Sequence, residues 1–150
     1  MKRRLGLALL IAAALGGLAA GLVVGHGDSG SALAQGAPRL LERGNFRAIT
    51  WNTTGTASLV RAPNGDLRLR LSSDFTTKDA PELYVYLARL RGQQKVYWKE
   101  VGALKSSQGA QEYPVSSDAA SRPDLQVAIY CAKCNRISGL APLSPTTRRS

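Results

Sequence analysis

The sequence predicts an all-β fold, an antiparallel sandwich or barrel-like single domain following an N-terminal signal or anchor helix. Three observations carry this expectation. Strand-like runs separated by turn residues recur about every ten residues beyond position 35, the spacing of sandwiches and barrels. No stretch in that region keeps the i, i+3, i+4, i+7 apolar spacing of an amphipathic helix. Between two alternating runs stands Asn64-Gly65, the strongest short hairpin signal.

The chain opens with a basic head, Met1-Lys-Arg-Arg4, and an uncharged run from Leu5 to Val24. A polar spacer and the small-x-small triplet Ala32-Leu-Ala34 follow. This order is that of an export signal and favours cleavage after Ala34, while an apolar run of about 20 residues keeps an uncleaved membrane anchor open. Either way the basic head stays inside. The domain is therefore expected outside the cytoplasm, periplasmic or extracellular, or membrane-anchored and facing outward.

Residues 35–45 read as a linker in which Leu40-Leu41 makes one helical turn or begins the packing. The β domain is expected over 46–143 and a basic disordered tail over 144–150. Within the domain the first strand is Gly55–Val60, and the hairpin turn leads to Leu67–Leu71. There Leu67, Leu69 and Leu71 alternate with Arg68 and Arg70, which puts one face on a core and the other in water. Glu82–Leu87 is dense in strand formers and is expected to be central, covered on both sides. Lys95–Leu104 alternates imperfectly, as a bulged strand does. Pro114 confines Gln111–Val115 to a sheet edge or strand end. The final strand pair spans Leu125–Leu143. Its period of two puts Leu125, Val127, Ile129 and Cys131 on one face, the buried one, with Gln126, Ala128 and Tyr130 on the other.

Of the 150 residues, positions 35–150 hold 17 of 20 Lys and Arg and nine of ten Asp and Glu, a net charge of +8. Arg89, Arg91, Lys95 and Lys99 form a basic stretch suited to an anionic surface polymer or lipid. No nucleic acid is expected, because no aromatic ladder or nucleic-acid motif accompanies the charges.

Several segments, in order over roughly Phe46 to Leu143, resemble the DM-thirteen domain family of small exported β domains. They are Gly55-Thr-Ala57, Asp74-Phe75, Pro81-Glu-Leu-Tyr-Val-Tyr-Leu87, Gly102-Ala-Leu-Lys105 with Gly109-Ala-Gln-Glu-Tyr113, and Val127-Ala-Ile-Tyr-Cys131 with Gly139-Leu-Ala-Pro-Leu143. The resemblance implies a sandwich-like fold and electron transfer through a single cysteine, matched by Cys131, acting as a thiol or as a ligand to a prosthetic group. Two positions depart from the family pattern. Cys134 stands three residues after Cys131 where the family has an aromatic, and Ser138 stands before Gly139 where it has another. The first departure turns a lone thiol into a C-x-x-C pair.

The residues limit what this pair can do. A c-type haem needs His after the second cysteine, and Asn135 is there. The only His is His26 and the only Met is Met1, so a domain cleaved after Ala34 leaves thiolate or tyrosinate as haem ligands and excludes blue copper within one chain. No metal site is predicted, since structural zinc wants four Cys or His ligands and the domain holds two. No cofactor is predicted, although haem ligation through Cys131 stays open. Oxidising surroundings favour a disulfide, which requires the strand to end at Cys131 in a tight turn through Ala132 and Lys133. With Lys133 and Arg136 beside it, the pair reads as a redox element for an unidentified partner. The alternative is a non-enzymatic surface or periplasmic binding module with a structural Cys131–Cys134 bridge and a basic face. Neither reading is of a stand-alone enzyme.

Overall fold

The computed structural model describes residues 36–146, and the expected leader lies outside the described residues. In chain order the strands are β1 (Arg39–Asn45), β2 (Arg47–Ala48), β3 (Thr56–Arg61), β4 (Leu67–Leu71), β5 (Leu83–Arg91), β6 (Gln94–Ala103) and β7 (Gln111–Val115). A 3-10 turn over Ser117–Ser121 leads to β8 (Gln126–Cys131), β9 (Arg136–Pro142) and β10 (Ser144–Pro145). They form two antiparallel five-stranded sheets, ordered β10-β1-β3-β4-β7 and β2-β9-β8-β5-β6. Among the described residues no helix is long and apolar enough to cross a membrane.

The sandwich follows from the alternation. Leu67, Leu69 and Leu71 are buried against the second sheet, while Arg68 and Arg70 face outward and pair with Asp66 at 3.1 Å and Glu112 at 2.5 Å. From the facing sheet, Val85 and Leu87 of β5 and Val127 and Ile129 of β8 are fully buried in the same core. Phe75, in the loop after β4, fills the interior next to Phe46, with ring centroids 5.3 Å apart. This packing leaves no room at Gly55, where an added Cβ would stand 2.5 Å from the Phe75 Cα.

Several elements differ from expectation. Arg39–Asn45 is strand β1 and not linker: it pairs with β3 along its whole length, and Leu41 packs on the core. Its charges and shallow burial hide it, because four of its seven residues are exposed and the others only partly buried. Ser144–Pro145, within the expected tail, pairs with Arg43 and Glu42 of β1. The hairpin expected at Asn64-Gly65 is present, β3 and β4 pairing antiparallel up to the Arg61–Leu67 pair with residues 62–66 between them. Gly65 alone there is left-handed, at φ 90°, whereas a two-residue Asn-Gly turn needs positive φ at both central positions. Strand β5 lies between β8 and β6 as expected of a central strand, yet among the described residues no second layer of strands covers its outer face. Tyr86 on that face packs against Trp98 of β6 and Tyr130 of β8. The β5–β6 register shifts twice, at Val85/Tyr86 and Arg89/Leu90, which accounts for the imperfect alternation of β6.

Candidate functional site

Strand β8 carries its alternation to its last residue, so Cys131 enters the core with Val127 and Ile129 and has no exposed surface. It pairs across to Leu83 of β5 and Arg136 of β9. A tight turn then reverses the chain, with the Asn135 N–H donating to the Ala132 carbonyl at 3.2 Å. Asn135 adopts φ 51°, a left-handed conformation that asparagine tolerates better than most residues. The turn brings the two cysteine Cα atoms to 5.2 Å, and Cys131 and Cys134 are joined in a disulfide.

The bridge is asymmetric. Cys131 is sealed, whereas Cys134 is half-buried on a turn whose Ala132, Lys133, Asn135 and Arg136 are exposed. The backbone N–H of Cys134 points at the Cys131 Sγ, 3.1 Å away, and the Pro81 carbonyl oxygen lies 3.5 Å from the same sulfur. In the disulfide that sulfur has no proton to give to Pro81. A reduced Cys131 finds a donor for its thiolate form and an acceptor for its thiol form already in place. The turn is clasped to the preceding loop by Ala132, whose N–H donates to the Glu82 carbonyl at 2.9 Å. Glu82 takes φ 56° to present that carbonyl, an uncommon conformation for a residue of its kind.

On the outer face the turn joins an aromatic group. The Tyr130 hydroxyl donates to the Asn135 side-chain oxygen at 2.5 Å. Tyr130 meets Trp98 edge-on at 5.5 Å and Tyr86 at 5.7 Å, while Tyr86 stacks on Trp98 at 4.6 Å. Lys95 Nζ caps the group, 4.1 Å above the Trp98 ring. The Tyr86 phenol is raised above its ordinary pKa by burial and by its hydrogen bond to the Glu100 carboxylate. The period of two put Tyr130 on this face, but its link to Asn135 depends on the turn and could not be read from strand spacing.

The four cations considered for an anionic partner do not share one face. Lys99 is opposite the core-facing Leu87, and Arg89 is opposite Tyr97 on that same side of the β5–β6 hairpin. Lys95 lies on the outer face with Trp98, and Arg91 sits at the hairpin end. Lys99 also bonds to the Ser116 hydroxyl at 2.6 Å and lies 4.0 Å from Asp118.

At Ser138 a fully buried hydroxyl closes a triangle with Thr53 at 2.9 Å and Thr77 at 2.7 Å, and Thr53 and Thr77 are 2.9 Å apart. Beside it Gly139 packs so tightly that a Cβ would meet the Thr53 side chain at 2.5 Å. Sequence reading missed this hydroxyl group, whose members are far apart in the chain.

Cys131 is a poor fit for a prosthetic-group ligand in this form, since its sulfur is covalently engaged and sealed in the core. Among the described residues no three His, Cys, Asp or Glu side chains gather at a metal's spacing. No curated protein and no solved structure matches the chain significantly. A family model described as electron transfer DM13 matches residues 45–143, which begins at the last residue of β1 and ends just after β9, and the chain therefore belongs to the DM13 family.

Proposed function

We propose that this domain transfers electrons as a thiol–disulfide couple formed by Cys131 and Cys134, exchanging them with a partner dithiol outside the cytoplasm. One observation carries the reading, namely a disulfide at a strand end with one sulfur sealed and the other on an exposed turn. Attack falls on the less buried of the two cysteines, Cys134. A partner thiolate bonds to Cys134 Sγ, the Cys131–Cys134 bond breaks, and Cys131 Sγ leaves with the electron pair. The Cys134 N–H beside Cys131 favours that thiolate, since hydrogen bonds to the charged form lower a thiol pKa. The partner's second thiolate then attacks its own sulfur in the mixed disulfide and releases Cys134. Two electrons and two protons pass to this domain, and the partner becomes the disulfide. Lys133 and Arg136, exposed on either side of Cys134, favour the approach of a thiolate. The basic head, apolar run and small-x-small triplet support export, and an oxidising compartment supplies the conditions in which the bridge forms.

Thiol trapping with mass readout across a glutathione titration tests this reading. Equilibration near about −200 mV, on the scale of exchange proteins, is the expected result. A bridge that stays oxidised until below about −300 mV is a structural one and removes the redox role.

A further inference from the structure

At the opposite end of β8 from the disulfide, a cleft of about 520 Å³ opens between the β5–β6 hairpin and the segment 118–125. We infer that it binds a small amphiphilic acid, its carboxylate held by Arg89 and its apolar body lying against Val96, Tyr97 and Pro123. The volume is within the ~300–1,000 Å³ of small-molecule sites. Its chemistry is divided as such a ligand requires. Leu125, which is fully buried, and Val96, which is 46% exposed, both line the cleft.

The charges around the cleft leave one guanidinium free. The Arg122 guanidinium lies 4.3 Å over the Tyr97 ring and donates through Nε and Nη2 to Asp118 Oδ2, at 3.1 and 3.0 Å. Asp118 also faces Lys99, so one carboxylate already serves two cations. Among the described residues no carboxylate lies within ion-pair distance of Arg89. A half-buried, unpaired guanidinium beside an exposed apolar wall is complementary to a carboxylate on a short hydrocarbon or aromatic body. The site does not use the disulfide and stands independently of the redox reading.

Sodium octanoate titrated into the full chain, followed by NMR, tests the assignment. Saturable binding with shifts centred on the Val96 methyls and the Tyr97 ring is expected. Arg89→Gln should weaken it about tenfold, ~1.4 kcal/mol, and Val96→Glu, which sets a like charge in an already exposed position, should weaken it at least as much. Arg91→Gln, outside the cleft lining, should leave it unchanged. Absence of saturable octanoate binding, equal losses for Arg89→Gln and Arg91→Gln, or binding seen only with phosphatidylglycerol vesicles would each overturn the proposal. The first denies a site, the second reduces it to diffuse charge, and the third replaces the free acid with a lipid surface.

Discussion

The two cysteines differ more in surroundings than in chemistry. A bridge across three residues excludes few unfolded conformations, so losing it costs about 2 kcal/mol, the low end for disulfides. Cys134→Ser is expected to lower stability by that amount, because the new hydroxyl has solvent beside it. Cys131→Ser is expected to cost about 1 kcal/mol more, since it moves a hydroxyl into a core site fully closed to water. Urea melts of both variants measure the difference, and equal values would mean that Cys131 is less sealed than its packing indicates. Close packing also governs Gly139. Its alanine variant must displace Thr53, part of the buried hydroxyl triangle, and is expected to lose about 1–3 kcal/mol in the same assay. The parity of β8 was enough to bury Cys131, but nothing in the spacing of Thr53, Thr77 and Ser138 reveals a shared contact.

Among the elements, those with strong alternation were legible and those held by a few contacts were not. Strand β4 showed its buried leucines and outward arginines plainly, and Pro114 confined β7 to a sheet edge or a strand end, of which the edge is the one observed. Strand β1 was obscured because its residues are mostly exposed, and the two register shifts between β5 and β6 leave no pattern that fixes which side chains face together. The 3-10 turn is held in part by Asp118, whose carboxylate is kept below its ordinary pKa by the Ser116 hydrogen bond first and then by Arg122. A depressed folded pKa stabilises the native state above the unfolded carboxylate's pKa, and this contribution disappears as pH falls through the folded value. Asp118→Asn should therefore flatten part of the acid limb of a stability-against-pH curve, with little change in its shape above neutrality. An unchanged acid limb would show that the turn does not depend on this charge.

For the whole molecule, the proposed electron transfer requires the domain to remain folded both with the Cys131–Cys134 bridge formed and with it open. The sandwich meets that condition because its core comes from residues of both sheets, while the bridge joins only positions three apart at the end of one strand. Reduction removes a local constraint but none of the ladder between β5, β8 and β9. Outside the sheet ladder, the turn that carries the bridge is held by the Ala132 bond to Glu82 and the Asn135 bond to Ala132, and the left-handed Glu82 and Asn135 flank it. Opening should therefore be confined to this clasp. Native-state hydrogen exchange with and without dithiothreitol is expected to show faster exchange at Ala132, Cys134 and Asn135 after reduction, with Val85, Leu87 and Ile129 unchanged. Faster exchange throughout the core would make the bridge a requirement for the fold, which is incompatible with reversible transfer through Cys131 and Cys134. If exchange changed nowhere, the reduced sulfurs would be held where the disulfide leaves them, and Cys134 would be no more available to a partner than the half-buried bridge allows.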